Sequence, residues 1–120
     1  VTMPENGEGA VAALSLTSST VNEITVVKVD GVLDATTREQ FADYLSLSGP
    51  DLILDLAGVT FMDSRALGLI VHQWQTSLAT SSRFALVGVE YSKSKVMWIT
   101  GLAQRLPLYD TLDDALAAIG

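Results

Sequence analysis

With 120 residues and no break in composition, the chain reads as one domain, and its 48% apolar content suffices for one ordinary core. A formal charge of −7 disfavours nucleic acid and anionic membrane as partners and favours a basic partner face. The lack of cysteine excludes disulfides and thiolate-bound metal.

Residues 1–12 (VTMPENGEGAVA) are small, polar and glycine-containing, and are expected to form a flexible arm ahead of a domain spanning 13–120. They carry no Lys or Arg and no apolar run, so no secretory signal is legible. Continuous apolar stretches such as Ala66 to Val71, which includes Gly68, fall far short of the roughly 18 residues a membrane span needs. The cytoplasm is the expected compartment. Leu14 and Leu16, then Ile24 to Val29, predict two strands joined by a polar turn over Thr17 to Glu23. Asp30-Gly31 is expected to close the second strand.

A helix follows, for which Thr36 with Glu39, or Thr37 with Gln40, fits a capping box. Phe41, Tyr44, Leu45 and Ser48 fall on one face, and Gly49-Pro50 stops it. Leu52 to Leu56 is a short apolar run, as in a strand buried on both faces. Asp63-Ser64 opens a second helix with Leu67, Ile70, Val71, Trp74 and Leu78 on its inward stripe. Phe84 to Val89 predicts another buried strand. Ser92 is expected to open a third helix, with Val96, Ile99, Leu102 and Ala103 inward. Leu106 to Tyr109 predicts a short edge strand, because Pro107 lacks a ladder donor. Thr111 with Asp114 resembles a capping box for a last helix bearing Leu112, Ala115, Leu116 and Ile119. The order β-β-α-β-α-β-α-β-α implies an α/β fold with a mostly parallel sheet of four or five strands and about four helices.

In such sheets, sites gather at the carboxyl ends of the strands. The expected loops there, Asp30 to Thr37, Ala57 to Ser64 and Gly88 to Ser92, present Asp30, Asp34, Thr36, Thr37, Asp63, Ser64, Glu90 and Ser92. That is an acidic rim studded with hydroxyls, although helix starts attract the same residues as caps. Ser64 is either such a cap or first-turn residue, or a phosphoacceptor. A phosphate there adds a charge of roughly −1.5 to −2 that the helix dipole tolerates, while a docked partner does not. Asp55 needs a partner if buried, and no His, Lys or Cys accompanies it for catalysis. His72 flanks an apolar stripe without a metal-ligand companion. Trp74 and Trp98 fit either core or interface.

The stretch LILDLAGVTFMDSRALGLIV (Leu52 to Val71) resembles the signature of STAS domains, the fold of bacterial anti-sigma factor antagonists, through Val59, Phe61, Asp63, Ser64, Leu67, Gly68 and Leu69. DGVLDATT (Asp30 to Thr37) is similar to the family's Gly-x-Leu/Ile-Asp loop, and Ile99 to Ile119 to its carboxyl-terminal third. The resemblance implies a partner switch rather than an enzyme, with no cofactor of its own. The unphosphorylated protein binds an anti-sigma factor that is also a serine protein kinase, and so releases a sigma factor. Phosphorylation, mapped onto Ser64, ends binding, and a serine phosphatase resets it. The partner-binding residues implied are Asp34, Thr36, Asp63, Ser64, Arg65, Ala66 and Gly68. The chain departs from the family at Arg65 and Ala66, where a small residue and glycine are usual. It is expected to be a monomer when free.

Two other readings compete. A receiver-type phosphotransfer domain could use the acidic rim for Mg²⁺, but the last strand offers no lysine to engage a phosphoryl group. A STAS module of a transporter or scaffold complex would bind protein without phosphorylation switching.

Overall fold

The computed structural model describes residues 13–120; the arm expected over residues 1–12 lies outside the described residues. The chain runs β1 (Leu14–Val21), β2 (Ile24–Leu33), α1 (Arg38–Ser46), β3 (Leu52–Met62), α2 (Ser64–Ala79), β4 (Phe84–Val87), a 3₁₀ turn (Tyr91–Lys93), α3 (Lys95–Ile99), a second 3₁₀ turn (Leu102–Gln104), β5 (Leu108–Tyr109) and α4 (Leu112–Ile119). The element order matches the sequence reading. The five strands lie in sequence order, β1 antiparallel to β2 and all other neighbours parallel, with β5 at the edge that Pro107 suggested.

Strand order explains where the helices go. Each parallel crossover advances in the same direction across the sheet, so right-handed connections put α1, α2 and α3 on one face. Side chains alternate along each strand. Val27, Val29, Leu52, Leu54, Phe84 and Leu86 face that helical layer and pack with Phe41, Leu45, Leu67, Ile70 and Met97. Ile24, Val26, Ile53, Ala85 and Val87 face the other side, where α4 closes the core with Ala115, Leu112, Leu116 and Ile119. The Leu52–Leu56 run is thus apolar on both faces because both are covered. Asp55 ends the α4-side row half-buried, and its carboxylate accepts the N–H of Ala57 at 3.1 Å, a local structural bond.

Several boundaries differ from expectation. Thr17–Val21 is strand, not turn; the hairpin turns on Asn22-Glu23 alone, both at positive φ. Neither Asp30-Gly31 nor Gly58 ends its strand. β2 and β3 continue side by side, with Asp30 opposite Gly58 and Leu33 opposite Met62. Gly31 sits at φ 116°, and a Cβ there would meet the Ala13 carbonyl, so glycine is needed. The cap reading of Thr37 also changes. Its hydroxyl makes no cap bond to α1 but donates to the Val32 carbonyl at 2.8 Å and accepts from Asp34 N–H at 3.1 Å. Gln40 reaches back to the Leu14 carbonyl at 3.2 Å rather than closing a capping box. Leu78 is 65% exposed; the inward position on that turn belongs to Ser77, whose hydroxyl bonds the Trp74 carbonyl. Ser92 lies in the 3₁₀ turn, α3 starts only at Lys95, and Ile99 points out while Met97 is fully buried.

Candidate functional site: the tip of the β2–β3 ribbon

β4 pairs with β3 only as far as Val87 opposite Asp55, whereas β2 follows β3 to Met62. At roughly 3.3 Å per residue, the two-stranded ribbon outruns the sheet by about 20 Å. Two of the expected loops are therefore mostly strand. Two register shifts mark the ribbon, Lys28 to Asp30 facing Asp55 to Gly58, and Gly31 to Val32 facing Val59 to Phe61. Each leaves one extra residue on β3. Such bulges turn a strand and re-aim its side chains. Val59 and Met62 stay in the core, while Phe61 is 52% exposed. Regular alternation did not foresee this.

The ribbon delivers Asp34 and Asp63 to one place, and both carboxylates serve local structure. Asp34 Oδ1 accepts the N–H of Thr36 at 2.9 Å and its hydroxyl at 2.5 Å. These bonds, the hydroxyl's first, hold the Asp34 carboxyl below the ordinary carboxylate range. Asp63 is the N-cap of α2, accepting the Ala66 N–H at 2.9 Å. Ser64 is therefore not the cap but the first helical residue. It is exposed, and among the described residues its hydroxyl has no hydrogen-bond partner.

Arg65 and Gly68 share the exposed side of α2, and Gly68 has open space where a Cβ would stand. Ala66 does not belong with them. It is 1% exposed and packs in the core beside Leu67, so its side chain has no surface to offer. Asp34, Thr36, Asp63, Ser64, Arg65 and Gly68 remain at or near the surface of this end.

The 3₁₀ turn and α3 supply the other wall. A groove of about 460 Å³ lies between them and the ribbon, lined by Phe61, Ser64, Lys93, Lys95, Val96 and Ile99 among others. Ile99 is 80% exposed, and Trp98 stands edge-on to Tyr91 at 5.3 Å between ring centroids. Exposed apolar side chains gathered beside polar ones mark binding surface. Lys93 and Lys95 escaped the sequence reading, because their place beside Ser64 depends on packing between elements. Ser94 is buried where this segment turns into α3. Among the described residues, no three His, Asp or Glu side chains gather as a metal site. No helix among them is long and apolar enough to cross a membrane.

Comparison with known proteins agrees with this architecture. The STAS domain family model matches residues 15–115. A Thermotoga neapolitana protein described as a candidate anti-sigma factor antagonist is 30% identical over 79 residues, covering 66% of this chain and 70% of its own. The crystal structure of an anti-sigma factor antagonist from Mycobacterium paratuberculosis superposes with a TM-score of 0.78 at 28% identity, covering 88% of this chain and 93% of its own. That of a candidate antagonist from Thermotoga maritima also gives a TM-score of 0.78, at 23% identity, over 87% of this chain and 93% of its own.

Proposed function

The chain belongs to the STAS domain family, and from that membership we propose that it is an anti-sigma factor antagonist switched by phosphorylation at Ser64. In this reading the unphosphorylated protein binds an anti-sigma factor that is also a serine protein kinase, and a sigma factor is released. The kinase then transfers the γ-phosphoryl group of its own ATP to the Ser64 hydroxyl, with loss of the hydroxyl proton and departure of ADP. A serine phosphatase restores the hydroxyl. The chain itself acts as a binding protein in the cytoplasm, with the chemistry done by its partners.

One observation carries the reading. The Ser64 hydroxyl is exposed, and unengaged among the described residues, at the rim of an apolar groove, while Asp63 does the capping. A side chain that holds no structure can be modified without unfolding the domain. Phosphoserine at the first turn of α2 adds about −1.5 to −2 of charge, which the amide dipoles there favour. Lys93 and Lys95 on the facing wall offer counter-charge, drawing the phosphate over the surface that a partner would cover. Burying that phosphate against apolar partner side chains costs several kcal/mol, and each ~1.4 kcal/mol is tenfold in affinity.

The test is capture from source-cell lysate by wild-type, Ser64→Ala and Ser64→Glu baits, read by mass spectrometry. Wild type and Ser64→Ala should retain an ATP-binding anti-sigma factor that Ser64→Glu releases. Retention of one transporter or scaffold subunit by all three baits would instead identify a STAS binding module without a phosphorylation switch.

A further inference from the structure

The face of α2 turned away from α3 carries a second surface. Arg65, Gly68, Leu69 and His72 follow at i, i+3, i+4 and i+7, so they form one stripe along the helix. Arg38, the first residue of α1, stands across from them, and together these five line a cleft of about 710 Å³. Among the described residues, none that lines it carries a carboxylate. Among the described residues the one ion pair is Arg83 with Asp51, so neither Arg38 nor Arg65 is neutralised there. Arg38 and Arg65, whose guanidinium groups have no hydrogen-bond or ion-pair partner among the described residues, line one cleft in a chain whose formal charge is −7.

The cleft does not end at His72. Leu69 and His72 also line a second groove of about 470 Å³ between α1 and α2, whose far part is formed by Ala42, Leu45, Gly49 and Pro50. The two form one trough with a cationic end near Ser64 and an apolar end near Pro50. The trough follows α1, whose nine residues span about 13 Å at 1.5 Å each. That matches about four residues of extended chain at 3.3 Å each. A small inorganic anion would use only the arginine end and leave the apolar end empty.

We propose that the α1–α2 trough is a docking site for an acidic–apolar peptide segment of a protein partner. Its carboxylates pair with Arg38 and Arg65, and its apolar side chains lie on Leu69, Ala42 and Pro50. Guanidinium groups suit this role because they grip carboxylates through two parallel hydrogen bonds. The net charge of the chain favours a basic partner, but the local placement of its cations selects an acidic one at this surface. Arg65 is shared with the partner-binding set of the proposed switch, but the readouts are separate: peptide binding to the unphosphorylated chain can fail while Ser64-dependent capture stands, and the reverse.

The test is an amide-resolved NMR titration of the full chain with a capped ten-residue peptide carrying four glutamates followed by leucines and serines. The amides of Arg38, Arg65, Gly68, His72 and Gln73 should shift saturably. Affinity should fall about tenfold or more in the Arg38→Gln/Arg65→Gln double variant, and equally when the peptide's glutamates become glutamines. The double variant's own spectrum shows whether it is folded, and Lys93→Gln/Lys95→Gln, on the opposite flank, should change affinity less than about twofold. Several results would overturn the proposal: no saturable shift at millimolar peptide, equal weakening by the lysine variant, or shifts of the trough amides produced by dilution or by phosphatidylglycerol vesicles in place of the peptide.

Discussion

The main-chain N–H of Asp63 donates to the carbonyl of Leu33 at 2.9 Å. This bond is the last rung of the β2–β3 ribbon and brings the ends of two crossover units side by side. Asp34 follows Leu33 directly and Ser64 follows Asp63, so a partner covering one reaches the other. The ribbon's bulges turn Phe61 outward at the same tip.

The division of labour between Asp63 and Ser64 has a stability signature. Asp63→Ala removes the acceptor for the Ala66 N–H and should cost about 1 kcal/mol, lowering the melting temperature by roughly 4 °C. Ser64→Ala removes no hydrogen bond among the described residues and should leave melting within about 1 °C of wild type. Thermal unfolding by circular dichroism compares them; equal losses would show that Ser64 also holds the helix start.

Phe61 and Ile99 should matter to binding and not to folding, since both are exposed on the groove beside Ser64. Phe61→Ser and Ile99→Ser should each weaken binding of the captured anti-sigma factor about tenfold or more, with melting unchanged or slightly raised. Isothermal titration beside thermal unfolding separates the two effects, and a large melting loss with intact binding would return both residues to structure.

Asp34 is both a turn residue and a candidate contact. Asp34→Ala loses two bonds to Thr36 in an exposed loop, so global stability should change little. Partner affinity should fall severalfold because the Thr36–Thr37 turn no longer holds its shape. A marked drop in melting temperature with unchanged affinity would make Asp34 purely structural.

Acid should weaken the join between β3 and β4. Asp51 accepts the Arg83 N–H at 2.8 Å and pairs with its guanidinium at 3.3 Å, and these contacts, the backbone bond first, hold its carboxyl below the ordinary range. A carboxyl with a depressed folded pKa adds stability above its unfolded pKa, and loses it as pH falls through the folded value. Asp51→Asn should therefore melt below wild type at neutral pH, with the gap closing below the usual carboxylate range. A gap constant from neutral pH to strong acid would contradict this.

Element order, the two-faced burial of Leu52–Leu56, the helix start at Asp63-Ser64, the cap at Thr111, and the edge position of the last strand were all legible in the sequence. Each depends on neighbours within a few residues: side-chain period, a capping side chain, a proline without a donor. The resemblance of Leu52 to Val71 to a family signature was equally local, and the match over residues 15–115 agrees with it. What the local pattern did not carry was decided between distant segments. Gly31 and Gly58 read as strand ends, but pairing of β2 with β3 carried both strands through them and set two bulges that no period reveals. The Thr37 hydroxyl fits a cap in sequence, yet Val32 and Asp34 claim it once the ribbon forms. Ile99 fits an inward stripe, but α3 has only five residues, and Met97 fills its core position. Arg38 meets Arg65 only because right-handed crossovers lay α1 beside α2. Short-range sterics and hydrogen bonding act along the chain and leave a pattern in it; register, groove walls and the grouping of charge come from packing between elements far apart in sequence.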